Sequence, residues 1–188
     1  GVHIVLFGAL GGATDRRKGA DLLRDALHRL GERTRDGLLR DLRLVIFGQD
    51  PPTEPLDAGF PVHYAGELHE DAQLRVLYAA ADVMVVPSRR DNLPQTATEA
   101  SACGTPVVAF RVGGLPDVVE HERTGYLAEP ADAGSLAAGV EWVLLDPARR
   151  RALGAAARQT AERRWAPAIV ARQYVEVYQD VLRRQFHE

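Results

Sequence analysis

The sequence reads as an α/β protein, a Rossmann-like parallel sheet with helices on both faces. Three features predict it. Short unbroken apolar runs recur, amphipathic helical repeats separate them, and glycine- or proline-rich loops follow several of the runs. A strand buried on both faces shows such a run, and strands alternating with helices form right-handed βαβ units.

The elements follow in order. "VHIVLFG" (2–8) is the first buried strand, and the glycine-rich turn "GALGGATDRRKG" follows it. "ADLLRDALHRL" places Leu23, Ala26, Leu27 and Leu30 at helical spacing, and Gly31 is expected to end that helix. "LRLVIFG" (42–48) is the second strand, followed by the proline-rich loop "QDPPTEPLDAGFP". A short strand near "VHYAG" leads into a helix from about Asp71, with Asp71 as its N-cap. "ADVMVVPS" is a strand, "TATEASAC" a helix and "TPVVAF" a strand; "LPDVVEH" reads as a short helix and "TGYLAE" as a short strand. Asp132 caps "AGSLAAGVEWVLL", and Asp146 followed by Pro147 starts another helix. The closing "APAIVARQYVEVYQDVLRR" is amphipathic, with Ile169, Tyr174, Val177, Tyr178 and Val181 along one side.

At 188 residues the chain suits one large domain with a substantial core. With 46% hydrophobic and 26% charged residues it has a globular balance, and a net charge of -3 argues against broad nucleic-acid binding. The basic run Arg149–Arg151 is expected to be a solvated helix face. No apolar run is long enough to span a bilayer. Cys103 is the single cysteine, so no internal disulfide can form; its apolar surroundings read as a packed thiol in a reducing compartment. The six histidines show no metal-ligand spacing, and no metal cofactor is expected. The sequence has no initiating methionine and opens inside a strand, so it is expected to be a piece of a longer protein.

In a parallel sheet, ligands bind beyond the carboxyl ends of the strands, where "GALGG" and "PSRRDNLP" both fall. In the first loop Gly8, Gly11 and Gly12 allow close approach of backbone amides to an anion. Lys18 stands at a helix start, where the helix dipole alone disfavours a cation; a phosphate held between lysine and amides resolves that conflict. Arg17 is a neighbouring cation. The loop lacks GxGxxG spacing, and read alone it fits a phosphate cradle and a plain turn alike. In the second loop Asp91 and Glu99 straddle a helix start near Pro94 to Thr96, a spacing that lets both face one cleft with the Gln95 and Thr96 amides aimed at an anion between them. Ionised acceptors suit vicinal hydroxyls, so the pair reads as a sugar or ribose clamp. The spacing equally fits Asp91 as an N-cap and Glu99 as a surface helix residue.

"PSRRDNLPQTATEASACGTPVVAF" followed by "VGGLPDVVEHERTGYLAEP" resembles the nucleotide-sugar-binding half of group 1 (family 4) glycosyltransferases. "LFGALGG…RRKGADLL" and "VLYAAADVMVVPS" match the same family, so the resemblance covers nearly the whole chain. It implies one half of a GT-B fold, with residues 1–166 as a donor-binding domain and 167–188 as a terminal helix toward an absent N-terminal domain. It also implies retaining transfer from a nucleoside-diphosphate sugar, without metal, to an acceptor glycan or lipid-linked sugar. On this resemblance Lys18, Asp91 and Glu99 are the catalytic set. Lys18 faces the diphosphate, Asp91 the transferred sugar and Glu99 the ribose. Gly66, Glu67 and Leu68 border the base, while Asn92, Leu93, Gln95 and Thr96 complete the donor loop. Gly113 and Gly114 shape a neighbouring turn.

Three positions depart from the family pattern. Ala9 stands where arginine is usual, Asp91 replaces a longer glutamate, and Pro94 removes an amide donor. The resemblance further implies a cytoplasmic location, with the inner membrane surface as one setting. The apolar side of the terminal helix is expected to be exposed, folded back or paired in a dimer. A non-catalytic scaffolding module of the same fold and a sugar-nucleotide 2-epimerase are the rival readings; neither loop supplies the histidine an epimerase would use.

Overall fold

A computed structural model describes residues 1–8, 15–33, 37, 39 and 41–185. Six strands form one parallel sheet: β1 (His3–Gly8), β2 (Leu42–Phe47), β3 (Val62–Tyr64), β4 (Val83–Val86), β5 (Val107–Phe110) and β6 (Gly125–Ala128). Their spatial order is β3-β2-β1-β4-β5-β6. Seven helices surround it among the described residues: α1 (Ala20–Arg33), α2 (Asp71–Ala80), α3 (Gln95–Ala102), α4 (Leu115–Val118), α5 (Ala133–Leu144), α6 (Pro147–Trp165) and α7 (Pro167–Gln185).

The strand side chains alternate between two cores, as a period of two demands. Val5, Phe7, Val83, Val85, Val108 and Phe110 face α1 and α5, meeting Leu23, Leu27, Leu30, Leu136 and Val140. Leu6, Met84, Val86, Val107 and Ala109 face the opposite way, against Tyr78 of α2, Ala97 and Ala100 of α3, and Leu115 and Val118 of α4. Both faces of the sheet are therefore covered, as the unbroken runs require.

Of the three expected caps, Asp132 and Asp146 act as such and Asp71 does not. The Asp132 carboxylate accepts the Gly134 and Ser135 amides at 2.7 and 3.1 Å, and Asp146 accepts those of Ala148 and Arg149 at 2.9 and 3.0 Å. Asp71 is not an N-cap. It is the first helical residue of α2, and Glu70 before it makes no side-chain cap bond. Nor does Gly31 end α1, which continues to Arg33. The run Arg149–Arg151 is not a uniformly solvated face either. The Arg149 guanidinium lies 4.4 Å from the centre of the Trp142 ring, Arg150 pairs with Asp82 at 3.2 Å, and Arg151 is exposed.

On α7, Ile169 is half-buried, while Tyr174, Val177, Tyr178, Val181 and Leu182 are 49–61% exposed. No described helix is long and apolar enough to cross a membrane.

Removing the α5 cap has a defined expected outcome. Asp132→Ala should lower stability by about 1 kcal/mol and Tm by roughly 2–4 °C, because two amides lose their acceptor. Thermal unfolding followed by circular dichroism checks this; an unchanged midpoint would show that water caps α5 equally well.

Candidate functional site

In the order β3-β2-β1-β4-β5-β6 the chain leaves β1 toward one edge of the sheet and β4 toward the other. Helix α1, after β1, covers one face; α3, after β4, covers the opposite face. No helix fills the space above adjacent strands whose connections diverge, and ligands bind in the crevice left there. The loop after β1 delivers Lys18 to this crevice and the loop after β4 delivers Asp91.

The two side chains meet. Lys18 Nζ donates to Asp91 Oδ2 at 3.0 Å, and the Ser88 hydroxyl lies 3.3 Å from the same oxygen. Arg17, Lys18, Arg90, Asp91 and Asn92 line a cavity of about 370 Å³, which sets three cations against one carboxylate. Arg17 is also held by Asp15, whose carboxylate accepts from its guanidinium at 2.8 Å. Lys18 is the only lysine among 23 cationic side chains; the other 22 are arginines. A compact ammonium with three donors on a flexible stem can bond a carboxylate and a phosphate oxygen together, which a planar guanidinium does less readily.

Backbone contacts fix both loops. Lys18 ends a 3-10 turn (Arg16–Lys18), and Gly19 follows at φ +72 against the Pro87 carbonyl. The Gly114 amide donates to the Asp91 carbonyl at 3.1 Å. A side-chain carbon at Gly113 would lie 1.9 Å from the Asp91 carbonyl oxygen, and one at Gly114 only 1.6 Å from that of Asn92. These glycines let the 111–115 turn press against the Asp91 loop, which is the structural role the sequence suggested for them.

Glu99 stands to one side. It lines a cavity of about 240 Å³ between α2 and α3, with Asp71, Leu74, Arg75, Tyr78, Ala102 and Cys103, and borders a second cavity against α6. Tyr78 donates its hydroxyl to Glu99 Oε2 at 2.8 Å. Burial, and then the Glu99 carboxylate itself, push the Tyr78 phenol well above its ordinary range, so it stays a donor. Asp91 thus lines one cavity with Lys18, and Glu99 lines another against α2, where the Tyr78 hydroxyl meets it.

The remaining predicted residues that are described lie at the end of β1, after β3 and at the start of α3. Gly8 ends β1 beneath Phe47 and Thr96. Gly11 and Gly12, and the Ala9 departure, lie outside the described residues. Gly66 follows β3 at φ +72, and its carbonyl accepts the Gly48 amide at 2.8 Å. Glu67 is exposed, and Leu68 is half-buried against the second core. Leu93 is exposed beside Asn92. Pro94 is the N-cap of α3; its carbonyl takes the Ala97 and Thr98 amides, leaving those of Gln95 and Thr96 without an intrahelical acceptor. Cys103 is half-buried, and burial raises its thiol pKa, which fits a packed protonated thiol. Among the described residues no group of three or more His, Cys, Asp and Glu side chains is placed to hold a metal ion.

Comparison with known proteins agrees with this architecture. The family model described as "Glycosyl transferases group 1" matches residues 10–160. The chain belongs to the group 1 glycosyltransferases. It is 35% identical over 178 residues to a D-inositol 3-phosphate glycosyltransferase of Xylanimonas cellulosilytica, covering 89% of this chain and 40% of that one. It is 34% identical over 131 residues to a sulfoquinovosyl transferase of Arabidopsis thaliana, covering 66% of this chain and 26% of the plant protein. Among solved structures, a sucrose-phosphate synthase from Thermosynechococcus elongatus superposes with a TM-score of 0.79 at 32% identity, over 96% of this chain and 46% of that one. The Anabaena protein HepE, solved in complex with UDP-glucose, shares the fold with a TM-score of 0.77 at 20% identity, over 95% of this chain and 49% of its own. The chain thus spans less than half the length of each of these relatives.

Within this group 1 glycosyltransferase chain, four site residues escaped the sequence reading: Asp21, Tyr78, Ser88 and Arg89. Tyr78 had a faint signal, as a polar-tipped residue inside the helical run before β4. Asp21 and Arg89 had none, since 68 positions separate them. Arg89 Nη1 and Nη2 donate to Asp21 Oδ1 and Oδ2 at 2.8 and 2.7 Å. That guanidinium holds the Asp21 carboxyl below the usual carboxylate range. The pair's contribution is therefore complete above that usual range and is lost as pH falls through the lowered value.

Proposed function

We propose that the chain is the donor-binding half of a retaining glycosyltransferase that moves a sugar from a nucleoside diphosphate to an acceptor hydroxyl. The observation that carries this is the meeting of Lys18 and Asp91 in the crevice between diverging strands. In that reading Lys18 and the open Gln95 and Thr96 amides face the diphosphate, and Asp91 faces hydroxyls of the transferred sugar. Glu99 takes the ribose hydroxyls and the 66–68 backbone borders the base. The acceptor oxygen bonds to the anomeric carbon as the bond from that carbon to the diphosphate breaks, and the acceptor hydroxyl's proton passes to the departing diphosphate oxygen. Negative charge grows on the leaving oxygen, and preorganised cations and amides lower the barrier by meeting it there. The Anabaena protein of the same fold is solved with UDP-glucose, a nucleoside-diphosphate sugar.

The same reading makes residues 1–166 the donor domain and 167–188 a helix reaching toward an N-terminal half that brings the acceptor, a glycan or a lipid-linked sugar, in the cytoplasm. Alone, the 188-residue chain is expected to bind UDP, GDP or ADP with a Kd of roughly micromolar to millimolar and to transfer no sugar. Calorimetric titration of the three nucleotides tests this. Silence toward all three favours the scaffolding reading, and turnover by the isolated chain would refute the need for a second half.

The role of Glu99 has its own check. Glu99→Ala should weaken binding of the preferred nucleotide about tenfold, the order expected when an ionised acceptor is lost. Tyr78→Phe should cost less, because the carboxylate remains but is no longer oriented. With the 2′-deoxy nucleotide the Glu99→Ala penalty should shrink; a full penalty there would move Glu99 away from the ribose.

A further inference from the structure

We propose that Arg89 is a positioning residue that clamps the Lys18 turn onto the Asp91 loop and so sets the spacing of the two groups in the crevice. The inference rests on the donor-site reading above and adds a residue to it that touches neither ligand nor reacting atoms.

The geometry is specific. Arg89 lies two residues before Asp91 and directly after Ser88, which reaches the Asp91 carboxylate. Its guanidinium makes two parallel bonds to Asp21, in the first turn of α1, at 2.8 and 2.7 Å. The same Nη1 donates to the Arg16 carbonyl at 2.8 Å, and the Arg89 amide donates to the Arg17 carbonyl at 2.8 Å. One residue of the β4 loop therefore grips three consecutive features of the β1 side: the turn at Arg16, the turn at Arg17 and the start of α1. Lys18 sits between these grips. A planar fork can hold a carboxylate and a carbonyl at fixed angles, which an ammonium cannot.

An exposed ion pair adds little to global stability, and the Asp21 and Arg89 side chains are 44% and 31% exposed. A clamp and a stabilising contact thus separate by experiment: loss of Arg89 should alter the site far more than the melting temperature.

Because Lys18 is the only lysine, selectively ¹³C-labelled lysine gives one side-chain signal set from this position. In Arg89→Ala the Lys18 ε-methylene correlation is expected to move toward its position in Asp91→Asn, with Arg89→Lys in between and the melting temperature nearly unchanged. An unmoved signal overturns the clamp. A double-mutant cycle supplies the functional arm, using whichever of UDP, GDP and ADP binds most tightly. Arg89→Ala should weaken binding about fivefold in the parent chain and less than about twofold in a Lys18→Ala background, since the two act as one unit. Equal weakening in both backgrounds overturns the proposal, because Arg89 would then act independently of Lys18. Failure of the underlying reading looks different: no nucleotide binds, or Lys18→Ala alone leaves affinity unchanged, whatever the lysine signal does.

Discussion

Lys18→Ala is expected to weaken binding of the preferred nucleoside diphosphate by about 10- to 100-fold, the range for losing a hydrogen bond to a charged group. Two effects add. The diphosphate loses a cation that stands at a helix start with three donors. The Asp91 carboxylate, only 16% exposed, also loses its counter-charge and meets the incoming anion unscreened. Arg17 does not substitute readily, because Asp15 already holds its guanidinium. The second effect can be isolated. In Lys18→Ala with Asp91→Asn the repulsion is gone, so part of the affinity should return. Lys18→Arg keeps the charge but replaces a compact ammonium with a planar fork, and should fall between parent and alanine variant. Calorimetry at two ionic strengths checks the series. Affinity in the parent chain should fall as salt rises, and that dependence should flatten in Lys18→Ala. A change of less than about twofold in Lys18→Ala would remove the phosphate role from this residue.

Much of this site could be read before any coordinate, for a topological reason. In a parallel sheet every strand delivers its following loop to the same edge, so Lys18 after β1 and Asp91 after β4 were bound to be neighbours once β1 and β4 were adjacent. Strand runs such as Val83–Val86 were equally plain, since burial on both faces leaves no polar alternation to confuse them. What stayed hidden depended on rotation about a helix axis or on loop-to-loop contact. The side of α3 that Glu99 faces is set by a tyrosine on another helix. The Arg89–Asp21 grip joins surface charges whose partners no periodicity specifies. Local signals also lost to packing. Gly31 stays helical because its neighbour Leu30 is fully buried and the Phe60 ring lies 3.5 Å from where a side chain would start. Asp71 misses the cap position by a single residue, and capping needs extended backbone at that residue.

Gly19→Ala should be strongly destabilising, and the comparison with Gly66→Ala shows why. Both glycines sit at φ +72. An alanine in that region costs about 1–2 kcal/mol from backbone conformation alone. At Gly66 the nearest atom to a new Cβ is an Asp50 carboxylate oxygen at 3.5 Å, ordinary contact, so the conformational cost is nearly the whole effect. At Gly19 the new carbon would lie 1.9 Å from the Pro87 carbonyl oxygen and 2.9 Å from its carbon. Backbone cannot rotate aside as a flexible side chain can, so the start of α1 must lift from the β4 loop. The expected loss is on the order of 3–5 kcal/mol, against about 1–2 for Gly66→Ala. Urea unfolding measures both, with a shifted midpoint and an unchanged slope. The same displacement carries Lys18 away from Asp91, so whatever Gly19→Ala protein folds should bind nucleotide as poorly as Lys18→Ala. If the two glycine variants prove equally stable, the close approach of α1 to Pro87 is not what holds this crevice together.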